Sequence, residues 1–79
     1  MGQRLGTYLR QLREERGFST HDVARQAGCS PAFLSLIERA KRGVTIEALY
    51  PIVRTLNGDM REALKLLALD AGVPKEELW

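Results

Sequence analysis

Apolar side chains recur at helical spacing along almost the whole chain. Leu5, Leu9 and Leu12 stand at i, i+4 and i+7. That places them on one face of a helix over about residues 3–16, which Gly17 stops. Two short helices are predicted next, over about residues 20–27 and 31–40. Thr45 then caps a fourth helix, in which Ile46, Leu49, Ile52, Val53 and Leu56 form the apolar stripe. Pro51 lies inside that helix and is expected to kink it or loosen one turn. Asn57-Gly58 ends it. The run Asp59-Met60-Arg61-Glu62 reads as a capping box for a fifth helix over about residues 60–71, with Leu64, Leu67 and Ala68 facing inward. Gly72 closes that helix, and Pro74 opens one last helical turn toward Trp79. The chain has no internal repeat, low-complexity stretch or convincing strand. The pattern predicts an all-α fold: a compact five-helix bundle over residues 1–72 with a short C-terminal extension, residues 73–79.

The densest local signals fall between the second and third helices. Ser19 is a good N-cap, and Asp22 stands at its N3 position, a weaker version of the Ser-x-x-Glu capping box. Phe18 and Val23 occupy N′ and N4, where a hydrophobic staple fixes the angle at which the chain approaches the helix. Gly28 suits a left-handed residue at the helix end. Ser30-Pro31 is an N-cap with proline at N1, so a new helix starts at once. Two short helices joined by a tight glycine turn have the geometry of a DNA-binding helix-turn-helix.

Composition narrows the function classes. The 79 residues make one domain, small enough to bury only about 60–65% of its extended surface. A domain of that size is modestly stable or gains stability from a partner. A hydrophobic content of 44% argues against disorder. The single cysteine excludes a disulfide framework or a cysteine zinc cluster and suits a reducing cytoplasm. His21 and Cys29 together make neither a metal site nor a triad, and Cys29 reads as a small apolar core residue. No glycine-rich phosphate loop is present, so neither an enzyme nor a cofactor is expected. No apolar run approaches the ~18 residues of a membrane span, and no signal-peptide core is visible. A cytoplasmic protein without a membrane partner is expected.

Net charge is only +2, yet it is unevenly placed. Residues 1–42 hold eight Lys or Arg against four acids, a balance of +4; residues 43–79 hold four against six, a balance of −2. The positive half contains the helix-turn-helix, as expected of a face that binds a polyanion.

Four blocks in order carry a family resemblance: LRQLREERGFS from Leu9 to Ser19, DVARQAGCS from Asp22 to Ser30, FLSLIERAKRG from Phe33 to Gly43, and TIEALYPIVRTLNG from Thr45 to Gly58. Over roughly residues 3–70 the chain resembles the phage-repressor and Cro-like, or XRE-like, helix-turn-helix DNA-binding family. The resemblance implies a prokaryotic or phage transcriptional regulator whose third helix enters the major groove of double-stranded DNA. Its base-reading positions map onto Pro31, Ala32, Ser35, Leu36 and Arg39. Among these only Ser35 and Arg39 can hydrogen-bond a base edge, while Ala32 and Leu36 suit a thymine methyl. Phosphate contacts map onto the start of the second helix, at Ser19, Thr20 and His21, and onto Lys41 and Arg42 in the loop after the third. Phe33 either packs on the sugar-phosphate wall or half-buries against the second helix. The resemblance also implies an ion pair between Arg13 and Glu38 that fixes the angle of the third helix.

A two-fold homodimer on a palindromic operator is the expected mode of action, with repression following from operator occupancy. The fifth helix carries more leucine than one buried face can use. Leu66 or Leu69 is therefore expected to point away from the monomer core and, with Leu78 and Trp79, to form the dimer interface. A different class of function stays open. Ala32, Phe33 and Leu36 also make an apolar face, which would suit a protein-interaction module or an antitoxin-type regulator with a protein partner.

Overall fold

The computed structural model describes residues 3–78. Its five α-helices are α1 (Arg4–Glu15), α2 (Thr20–Ala27), α3 (Pro31–Glu38), α4 (Ile46–Thr55) and α5 (Met60–Asp70), followed by a single 3-10 turn at Lys75–Glu77. Four of the helices begin on a cap in their own sequence. Ser19 Oγ accepts from the Asp22 N–H at 3.0 Å, Ser30 Oγ from Phe33 at 3.0 Å, Thr45 Oγ1 from Ala48 at 3.2 Å and Asp59 Oδ1 from Arg61 at 2.9 Å. The Ser19–Asp22 capping box is complete, because Asp22 Oδ2 accepts in return from the Ser19 N–H.

The other two terminal arrangements are tertiary. Gln3 provides no side-chain cap for α1. Asp70, at the end of α5, takes that role by accepting from the Arg4 and Leu5 N–H groups at 3.2 and 3.0 Å. At the start of α5 the expected capping box is only half formed. The Asp59 N–H donates to the Tyr8 hydroxyl of α1 at 3.0 Å, in the place expected for Glu62. Helices α1 and α5 therefore cap one another.

The core gathers Leu5, Leu9, Val23, Leu34, Ile37, Leu49, Ile52, Val53, Leu56 and Ala63. Helix α2 packs on α3 and α4, while α1 packs on α3 and α5. Two expected faces need correction. Ile46 is 55% exposed rather than part of the α4 stripe. Val44, ahead of the Thr45 cap, packs on the core in its stead, opposite Leu49 in hydrophobic-staple positions. Helix α4 runs through Pro51 as one element. In α5 the inward register is Ala63, Leu66, Leu67 and Asp70, set by the bonds of Asp70 to α1. Leu64 and Ala68, expected inward, are half-buried and stand off the core cluster. Leu66 packs on the core, whereas Leu69 does not. Leu78 is half-buried after the 3-10 turn, and Trp79 lies outside the described residues.

Helix α1 crosses the end of α3 with almost no gap. A Cβ on Gly6 would stand 2.5 Å from the Glu38 carbonyl oxygen and 2.7 Å from that of Ile37. Both neighbours are backbone, so the helices themselves would have to separate. Gly6→Ala gains helix propensity but should lose about 2 kcal/mol net, within the range for overpacked cores. Urea midpoints at an unchanged m value measure this, and an unshifted midpoint would show that the crossing is not tight.

Candidate nucleic-acid interface

The helix-turn-helix is built by local chemistry. Helix α2 ends at Ala27, and Gly28 turns left-handed at φ 78°. Two residues later Ser30 caps α3 and Pro31 opens it. Helix α3 ends at Glu38, two residues earlier than its sequence pattern predicts. Ala40 takes a left-handed φ of 57°. The Ala40 N–H then bonds the Ile37 carbonyl at 3.0 Å and the Lys41 N–H that of Leu36 at 2.8 Å. This is a Schellman closure with alanine where glycine is usual.

Burial sorts α3 into two faces. Leu34 and Ile37 lie in the core, while Ala32 and Arg39 are exposed and Ser35 and Leu36 half-buried. Positions 32, 35, 36 and 39 follow i, i+3, i+4, i+7 and therefore share the outer face. Pro31 is half-buried at its start. Arg39 is the C-cap, and its Nε donates to the Ser35 carbonyl at 3.4 Å, leaving the rest of the guanidinium outward. Phe33 is half-buried against the core. The Arg42 guanidinium sits 5.0 Å from its ring centre, a cation–π contact that the sequence did not signal. Lys41 and Arg42 are both exposed in the loop that follows.

At the start of α2, Ser19 and His21 are exposed and Thr20 half-buried. The Ser19 N–H and hydroxyl hold the Asp22 carboxyl below its usual range, with Arg25 adding to the effect. With Ser19 and Asp22 bonded to each other, the backbone N–H groups of Thr20 and His21 are the ones α2 offers to an outside anion. Cys29 is half-buried beside the turn, and desolvation pushes its thiol up, away from nucleophilic use.

One ion pair positions this surface. Arg13 Nε and Nη2 reach Glu38 Oε2 and Oε1 at 2.8 and 3.0 Å, a bidentate fork, and Arg13 Nη1 bonds the Phe18 carbonyl at 3.0 Å. The hydrogen bond to Glu38 raises the Arg13 pKa above its ordinary value. Both side chains are largely removed from water, at 15% and 5% exposure. Gly6 and the Arg13–Phe18 bond are positioning features that the sequence reading missed. A glycine inside a helical repeat was the available signal for the first.

Residues 4–78 match the helix-turn-helix domain family. The chain belongs to that family. It is 42% identical over 53 residues to the HTH-type transcriptional regulator SutR of Escherichia coli (strain K12), a stretch that is 67% of this chain and 30% of SutR. It is 32% identical over 56 residues to the uncharacterized HTH-type transcriptional regulator y4dJ of Sinorhizobium fredii (strain NBRC 101917 / NGR234), covering 71% of this chain and 73% of that one. The chain thus spans under a third of SutR but most of y4dJ. In structure it is similar to the clp gene regulator ClgR from Corynebacterium glutamicum, with a TM-score of 0.75 and 29% identity over 84% of this chain and 70% of that one.

The Arg13–Glu38 pair of this helix-turn-helix domain makes a measurable claim. Glu38→Leu strands a mostly buried guanidinium and should cost about 3 kcal/mol, as removal of one partner of a buried pair does. Arg13→Met combined with Glu38→Leu should cost clearly less than the two single changes summed. Denaturant midpoints of the four proteins close the cycle; additive losses below about 1 kcal/mol would place the pair energetically at the surface.

Proposed function

We propose that this helix-turn-helix chain is a DNA-binding transcriptional regulator that acts by occupying a duplex site, with α3 in the major groove. The observation that carries the reading is the succession of three features along the helix-turn-helix segment. The outer face of α3 is flanked by the free N–H groups of Thr20 and His21 and followed by the exposed Lys41 and Arg42. The acids nearest in sequence, Asp22 and Glu38, are engaged by Ser19 and Arg13. Thr20, His21, Lys41 and Arg42 then serve phosphates, with Ser19, engaged by Asp22, holding the start of α2 in place for them; Arg39 and Ser35 read base edges, and Ala32 and Leu36 meet thymine methyls. SutR and y4dJ are named as transcriptional regulators, which supports the same reading.

Replacing Lys41 and Arg42 together by alanine should weaken binding to every duplex alike. The slope of log K against log salt should fall by nearly two units, about 0.9 per lost phosphate contact. Arg39→Ala should in addition relax sequence preference. Mobility shifts over a salt series measure both, and a double variant that grips random duplex like its parent removes the phosphate assignment. If the parent ignores duplex altogether, the apolar pair Ala32 and Leu36 favours the second reading, a protein-binding face.

We further propose that the chain acts as a two-fold dimer paired through the outer side of α5. Leu64, Ala68 and Leu69 stand off the core there, with the half-buried Leu78 beyond the 3-10 turn. Such a dimer would set two recognition helices about 34 Å apart, one turn of DNA. Leu69→Asp and a chain ending at Ala71 should both sediment as monomers at micromolar concentration where the parent is a dimer. A monomeric parent, or a dimer indifferent to both changes, would exclude this interface.

A further inference from the structure

We propose that the groove beneath the α3–α4 loop is an effector site for a small amphipathic carboxylate, and that filling it loosens the hold on DNA. The groove has a volume of about 370 Å³, at the small end for ligand sites. The buried apolar Leu5 and Ile37 line it, together with Val44 of the loop and Leu67 of α5. Charge decides what head group fits. Asp70 borders the groove, but its carboxylate is taken up by the Arg4 and Leu5 N–H groups and by Arg4 Nη1. Arg42 borders it too, its guanidinium held against the Phe33 ring with its charge unpaired among the described residues. Lys41 is exposed on the rim and makes no ion pair among the described residues. The uncompensated charge at the mouth is therefore positive, over an apolar floor. An anionic head on an apolar body complements both.

The wall that would respond is the loop of residues 40–44. It has no regular structure, Val44 is its one residue packed on the core, and its first residue is an alanine in the left-handed region. Such a segment belongs to the low-stability end of a fold. A carboxylate would neutralise Lys41, and an apolar body against Val44 would reset the path of the loop. Both acts fall on the segment that carries Lys41 and Arg42. The regulatory half of the inference rests on the DNA-binding reading; the site itself does not.

The test uses the full chain and sodium hexanoate, with hexylammonium chloride as the cationic counterpart. Amide NMR shifts at Leu5, Val44 and Leu67 should move and saturate with hexanoate at millimolar concentration and stay put with hexylammonium. Ala71→Phe fills the groove from an exposed position that is not among the proposed DNA contacts, and Ala71→Glu repels an anion without filling it. Both should suppress the hexanoate shifts while the rest of the spectrum keeps its native dispersion. Anisotropy with a labelled random duplex should show saturating hexanoate raising Kd about fivefold for the parent and leaving the Ala71→Phe variant unchanged. No saturable shift in the parent, an equal response to hexylammonium, or undiminished shifts in both variants overturns the site. Saturable binding with an unchanged duplex Kd overturns the regulatory coupling. A chain that binds hexanoate but no duplex overturns the DNA reading and leaves the site standing.

Discussion

Arg13 decides where α3 points. A single guanidinium reaches Glu38 at the end of α3 and the Phe18 carbonyl in the turn ahead of α2, so three parts of the chain meet on one planar group. Replacing such a buried pair by apolar side chains is often neutral or better for stability. Its use here is geometric. An apolar contact between two helices tolerates sliding, whereas a bidentate fork fixes both distance and orientation. Gly6 completes the joint by letting α1 touch the last carbonyls of α3. Helix α3 is only eight residues long, and these two anchors at its C-terminal end add to the hold of its buried Leu34 and Ile37.

The same helix α1 is tied at its other end to α5. Asp70 sits where its charge opposes the dipole of its own helix and favours that of α1, a trade that stabilises only in the folded pair. Tyr8 returns the bond by accepting from Asp59 at the start of α5. Terminal polar groups that each helix would leave to water are thus satisfied across the interface. This links the C-terminal helix rigidly to the scaffold that carries Arg13, so a second copy docked on α5 would be coupled to the orientation of α3 through one stiff element.

Which features were legible in the sequence follows from how far apart their causes lie. The caps at Ser19, Ser30, Thr45 and Asp59 depend on groups two or three residues away, and each formed at the expected position. The helix-turn-helix was legible for the same reason. The phase of α5 was not, because Asp70 reaches across 65 and 66 positions to set it, and leucine on every side gave periodicity nothing to distinguish. Ile46 stands at the right spacing for the stripe, yet it is the first residue of α4, and the staple residue Val44 already covers that part of the core. The cation–π contact of Arg42 with Phe33 depends on the loop path, which no local signal encodes.

The proposed interface is better supplied for grip than for reading. Across two turns of α3 the outer face offers one guanidinium and one hydroxyl, beside two apolar side chains. A bidentate arginine contact to guanine is worth about 1–3 kcal/mol of discrimination, and two-fold symmetry would count it twice. That reaches at most the lower part of the roughly 4–10 kcal/mol separating specific from non-specific binding in typical regulators. The rest must come from terms that do not need base-edge donors. In the proposed complex Ala32 and Leu36 would discriminate by fitting a thymine methyl and by refusing to solvate an exposed polar edge. Fixed spacing between the two α3 helices of the proposed dimer would discriminate by register, and rigid phosphate clamps by the cost of bending the duplex to meet them. Each of these works only if α3 cannot tilt. On this reading the weakness of the recognition face and the strength of the Arg13–Glu38 anchor are one design: with few polar probes on the helix, selectivity depends on how rigidly they are held.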